Sequence, residues 1–256
     1  MCQSSGRGFD TRHLHPFLFL IMGGNTMSDY STSTQIAREQ SLIRNVYLWM
    51  AAGLALTGIT SLWMMNDAAR MQSMIQSGTM WLLLIGELVL VFFLSARILS
   101  MQPVTATICF AGYSILNGLT LSVVFYAYTA ESLYTTFFVT AATFAGMALY
   151  AVTTKRNLAA MGSYLGMALW GLIIAAIVNM FLKSSTFDMM ISGIGVLVFC
   201  GLTAYDTQYI LSISRNYSSS LDESDYIRFS IIGALKLYLD FVNMFLYLLR
   251  FFGKRK

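Results

Sequence analysis

The chain has 256 residues, of which 57% are hydrophobic and only 11% charged, against roughly a quarter charged in an average soluble domain. That composition excludes a water-soluble globule. At about 20 apolar residues per crossing it leaves room for six to eight membrane spans and no sizeable soluble domain. The net charge of +4 is spread over connections and ends, so it offers no basic face for nucleic acid.

Residues 1–34 read as a polar, disordered N-terminal segment, and 35–256 as the membrane domain. Within the first stretch the apolar run 17–22 is shorter than the roughly 7–15 residues of a signal-peptide core. Met27 therefore reads as the start of translation, with 1–26 untranslated. Apolar runs of near-spanning length then fall at about 46–65, 80–99, 104–126, 132–152, 163–182, 189–211 and 231–252. With only two prolines, Pro16 and Pro103, and no alternating ten-residue segments, these runs predict helices rather than barrel strands. The fold class expected is an all-α membrane protein, a seven-transmembrane-helix bundle. The stretch SISRNYSSSLDESDYIRF (212–229) reads as a mobile aqueous loop.

With the N-terminus inside, inner segments carry Arg38, Arg44, Arg97, Lys155, Arg156, Arg215 and Arg228, while outer loops carry Arg70 and Lys183. The positive-inside rule then places the N-terminus in the cytosol. The basic tail, Arg250, Lys254, Arg255 and Lys256, opposes that assignment, so the last segment either crosses fully, which is favoured, or re-enters to the inner face.

Several chemistries are excluded by residue type. Both histidines, His13 and His15, precede the spans, so no apolar helix carries an imidazole for a serine–histidine pair or a zinc site. There is no G-x-x-x-x-G-K-[ST] loop and no G-x-G-x-x-G turn. Cys109 and Cys200 lie in apolar spans without C-x-x-C spacing and read as small hydrophobes.

An ionisable group in the hydrocarbon costs roughly 2.5–3.5 kcal/mol on insertion scales, so each one asks for a partner or a wet cavity. The candidates are Glu87, Asp206 and Asp240, with Arg97 near the inner end of the second span. At 1.5 Å rise per residue, Asp206 and Asp240 fall at similar heights, roughly 8 and 14 Å from the inner surface, and Glu87 near the midplane, roughly 18 Å in. If the last two spans adjoin, Asp206 and Asp240 form a carboxylate pair that shares a proton, which is a pH sensor. Deprotonated, and with Glu87 above, the pair offers hard oxygen ligands to a divalent cation, calcium in particular. Asn117, Asn179, Thr207 and Asn243 are polar groups expected to line the same interior. Lys236, one turn before Asp240, is expected to snorkel or to pair with it. Gly162, Gly166 and Gly171 are expected at close helix contacts.

Three ordered motifs, TAATFAGMALYAVTTKRNLAAMGSYL (140–165), GVLVFCGLTAYDTQYI (195–210) and GALKLYLDFVNMFLYLLRFFG (233–253), resemble the Bax inhibitor-1, or transmembrane Bax inhibitor motif, family in its bacterial branch. The resemblance extends over about 35–256. It implies a seven-helix pH-sensitive calcium leak with no tightly bound cofactor, in which the sensor aspartates map onto Asp206 in AYDTQ and Asp240 in YLDFVN. It also implies a second-helix arginine latched to the sixth-helix aspartate, for which Arg97 is the nearest candidate. The partners implied are the lipid bilayer, calcium and protons, in a multi-pass protein of the bacterial inner membrane.

Two other functions stay open. One is a regulatory protein whose polar start and 212–229 loop bind a membrane protease or another stress-response partner; the resemblance, through some bacterial relatives, implies a membrane-bound AAA protease in that place. The other is an intramembrane aspartyl protease built on the two aspartates. The second site, Leu237-Tyr238-Leu239-Asp240, lacks flanking glycines, and no Pro-Ala-Leu element is present, so the expectation is that the protein is not an enzyme.

Overall fold

The computed structural model describes the backbone of residues 15–217 and 222–256, and the side chains of 37–216 and 222–256. The elements in chain order are α1 (His15–Met65), α2 (Ala68–Gln76), α3 (Thr79–Arg97), a single 3₁₀ turn (Ile98–Ser100), α4 (Pro103–Ala127), α5 (Ala130–Thr153), α6 (Met161–Leu182), α7 (Ser185–Tyr217) and α8 (Glu223–Phe252). Among the described residues, seven helices are long and apolar enough to cross a membrane: Ala37–Met65 of α1, Thr79–Ser100, and α4 to α8. The expected all-α bundle of seven spans is what the chain forms.

The helices outrun the apolar runs that announce them. Polar residues continue a helix once it leaves the hydrocarbon, because its backbone bonds are already nucleated. Thus α7 extends to Tyr217 and α8 begins at Glu223, so most of the stretch read as an aqueous loop is helical, and only 218–221 lie outside the described residues. The start of α8 is fixed by Asp222, whose carboxylate accepts from the Asp225 amide at 2.7 Å. Helix α1 likewise begins at His15, where disorder to residue 34 was expected; residues 1–14, most of the stretch read as untranslated, lie outside the described residues. The short α2 has no counterpart in the hydropathy pattern. Asp67 caps it, accepting from the amides of Ala69 and Arg70, and Met71 and Met74 bury against Met64.

Helix α8 is the hub. It packs against α1, α4, α5 and α7, and two thirds of its spanning window is buried, whereas α3 and α6 lie at the periphery with about a tenth buried. Its buried residues, among them Ile231, Ala234, Tyr238, Asp240, Phe241 and Phe245, cover more than half of the helix circumference, and Lys236, Asn243 and Arg250 fall on the remaining side. So wide a buried face places α8 in the middle of the bundle. The α1–α4 contact is close at Gly118, where a Cβ would come within 2.6 Å of the Thr57 carbonyl and where Ser61 donates to the Gly118 carbonyl at 2.7 Å. Of the glycines expected at close contacts, Gly162 faces the Tyr205 ring, but Gly166 and Gly171 have open space beside them. Spacing places them on a helix without saying which face meets protein.

The connections sort onto two faces. On one, Ser214 donates to the Glu39 carbonyl, Tyr226 donates to Ser41, Arg228 donates to the Met101 carbonyl, and Gln208 bonds the 154–160 connection. On the other, the tail pairs with the α4–α5 connection: Tyr128 and Arg255 form an antiparallel bridge, and the Thr129 amide donates to the Lys254 carbonyl at 3.1 Å. Arg250 reaches Asp188 at 3.4 Å on this second face. The last helix therefore runs the full depth of the bundle, and the tail ends on the face opposite Glu39.

Candidate functional site

The candidate site forms where α7 meets α8. On α7, Thr203, Asp206, Thr207 and Ile210 recur at the three- and four-residue spacing that shares one helical face, and all are buried. Asp206 is thereby turned inward. On α8, which packs against α7, Asp240 is 4% exposed. Both expected aspartates are therefore buried on adjoining helices, and no hydrogen bond joins them among the described residues.

Lys236 completes the arrangement in a way the sequence did not indicate. Its Nζ donates to Asp206 Oδ1 at 3.0 Å, across the helix pair, and lies 5.2 Å from the centre of the Tyr209 ring. Asp206 and Tyr209 are three residues apart on α7, so the lysine stem reaches between a carboxylate and an aromatic face. The pairing expected within α8, with Asp240, gives way to this one. Asp240 Oδ2 has no hydrogen-bond partner among the described residues, and Thr207 Oγ1 and Asn117 Oδ1 share that condition. An unpartnered polar atom this deeply buried is costly, and such atoms mark places where a protein pays stability for function.

A second polar layer surrounds Tyr238, half a turn from Asp240. Thr57 donates to the Ser114 carbonyl at 2.9 Å, which leaves the Tyr238 hydroxyl to donate to Thr57 Oγ1 at 2.7 Å. The Tyr238 ring meets Phe110 and Tyr113 edge to face at 5.9 and 5.8 Å. This layer ties α1, α4 and α8 together beside the aspartates.

Glu87 belongs elsewhere. On α3 it accepts from Thr120 of α4 at 2.6 Å, and among the described residues no three His, Cys, Asp or Glu side chains are arranged to hold a metal ion. The three-carboxylate calcium site expected from matching depths is thus not formed, because depth fixes height but not the side of the helix on which a carboxylate stands. Arg97 is exposed at the end of α3, and the ion pair of Asp206 is with Lys236. Of the neutral groups expected to line the interior, Thr207 adjoins the pair, Asn117 lies near Thr120, Asn243 donates to its own helix at Leu239, and Asn179 binds Asp188 and the Ser184 amide at the second face.

The family model described as "Inhibitor of apoptosis-promoting Bax1" matches residues 39–256, which include every element of this site. The chain belongs to the Bax inhibitor-1 family. Among its relatives, the inner membrane protein YbhL of Escherichia coli strain K12 is 44% identical over 218 residues, 85% of this chain and 93% of that one. An uncharacterized protein of Borreliella burgdorferi is 40% identical over 226 residues, 86% of this chain and 96% of that one. The Bax inhibitor-1 match and the seven apolar helices together make this a multi-span membrane protein.

Proposed function

We propose that the protein is a pH-sensitive calcium leak channel of the bacterial inner membrane, with its N-terminus cytosolic, gated by the Asp206–Asp240 pair, and not an enzyme. The observation that carries this reading is the burial of one carboxylate on each of two adjoining helices, one ion-paired to Lys236 and the other with an unpartnered oxygen. Carboxylates that interact strongly titrate as a unit. Ionised, Asp206 ties α8 to α7 through Lys236, and the remaining oxygens offer hard ligands to calcium in transit. Protonation of Asp206 dissolves that attraction and shifts the closed–open equilibrium toward the open form.

The orientation follows from the face that carries Arg38, Arg44, Lys155, Arg156, Arg215 and Arg228, which outweighs the tail on the other face. Ion flux is the reading that the buried carboxylates favour over a protease partner.

The test is calcium entry into dye-loaded vesicles bearing the reconstituted protein, measured across pH. Flux is expected to rise as pH falls, and Asp206→Asn and Asp240→Asn are expected to flatten that response. Flux and pH response unchanged in both variants would overturn the proposal.

A further inference from the structure

On the face of the bundle that carries Glu39 lies a polar cleft of about 590 Å³ between the α5–α6 connection and the end of α7. It stands apart from the aspartate pair. Lys155, Arg156 and Arg215 line it, together with the hydroxyl residues Thr153 and Thr154, and no acidic residue is among its walls. None of the three cations forms an ion pair among the described residues. Cations that merely obey the positive-inside rule need only lie on the correct side. Here they come from segments about 60 residues apart and converge on one concavity.

The concavity is also held in shape. Gln208 of α7 accepts from the Leu158 amide at 2.6 Å and donates to the Arg156 carbonyl at 2.9 Å, so its amide clamps the connection that presents Lys155 and Arg156 against the helix that presents Arg215. The Arg156 amide is turned in locally by the Thr154 hydroxyl at 3.3 Å. Ala151, Val152 and Leu211 add apolar wall to the cleft. Of the other sizeable clefts, one walled by Met189, Met190, Leu197 and Phe252 is apolar throughout, and one of about 540 Å³ on the opposite face sets Asp188 against Arg250, so its charge is already matched.

We propose that the Lys155–Arg156–Arg215 cleft binds a phosphate group, supplied by the headgroup of an anionic phospholipid or by a soluble phosphate. Guanidinium groups match phosphate oxygens two at a time, and an ammonium adds a third contact.

The full chain in a neutral detergent is titrated at constant ionic strength with short-chain phosphatidylglycerol, with phosphatidylcholine and with inorganic phosphate, and the unfolding midpoint is read by tryptophan fluorescence. Phosphatidylglycerol is expected to raise the midpoint saturably and phosphatidylcholine to leave it unchanged. Lys155→Gln/Arg215→Gln is expected to weaken half-saturation about tenfold or more. Lys254→Gln/Lys256→Gln, which removes the same charge on the opposite face, is expected to leave it unchanged. If inorganic phosphate gives the same saturable rise, the ligand is a soluble phosphate; if only the phospholipid does, it is the headgroup. Should the double variant not fold, the single Lys155→Gln, on an exposed connection, carries the test. Equal half-saturation in the wild-type and cleft variants, or no rise with either phosphate source, overturns the proposal. The readout is binding, so it stands or falls independently of calcium flux.

Discussion

The ammonium of Lys236 makes the ion pair that ties Asp206 of α7 to α8, and its removal is the most informative single change at the site. Lys236→Met leaves a buried carboxylate without its counter-charge, whereas Asp206→Asn/Lys236→Met removes both members. A double-mutant cycle on detergent unfolding is expected to give a coupling of about 1–3 kcal/mol, and additive effects would show that the pair contributes nothing. Tyr238→Phe deletes only the hydroxyl that bonds Thr57 and is expected to cost about 1 kcal/mol with flux retained. The two aspartates were legible in the sequence because a charge in an apolar run has few explanations. Lys236 was legible as a neighbour of Asp240 but not as the partner of Asp206, since that contact depends on how α7 and α8 are rotated toward each other. Glu87 misled for the same reason: rise per residue gives height, and only packing against α4 decides that its carboxylate meets Thr120.

Among the elements, α2 is the one hydropathy cannot show, because nine residues are too few to span and its apolar face is two methionines wide. Its signal was Asp67, an N-cap residue directly ahead of the helix. The hydrogen bond from Arg70 and the adjacent amides hold the Asp67 carboxyl below the usual aspartate range. The folded-state pKa being depressed, the cap contributes above the ordinary aspartate range and is lost as pH falls through and below it. Amide exchange at Ala69 and Arg70, corrected for intrinsic rates, is therefore expected to quicken below about pH 4 and to be insensitive to pH between about 5 and 7. The spans themselves were legible in number and order, while their ends were not: α7 and α8 continue past the hydrocarbon on polar residues that composition alone assigns to a loop. Helix contact also separates glycines that look alike. Gly118→Val meets the Thr57 carbonyl and is expected to destabilise by about 1–3 kcal/mol, whereas Gly166→Ala, with nothing beside it, is expected to be neutral or slightly stabilising in the same unfolding assay.

At the scale of the molecule, the antiparallel pairing of the tail with the α4–α5 connection fixes which ends share a side. Cysteines placed at Asn157 and Lys256 are expected to react with an impermeant maleimide from opposite sides of sealed membranes, and labelling of both from one side would require α8 to turn back. The same pairing sets a constraint on assembly. The helix that supplies the centre of the bundle follows all the others in the chain, so the six spans before it enter the bilayer around a place that nothing yet fills. Until α8 arrives, Asp206 has no lysine and Thr57 no tyrosine, and the polar faces of α1, α4 and α7 are left to lipid or to one another. A ribosome stalled before residue 223 would therefore release six inserted spans with their polar interior uncovered, a product that membrane quality control can distinguish from the finished protein by that exposure alone.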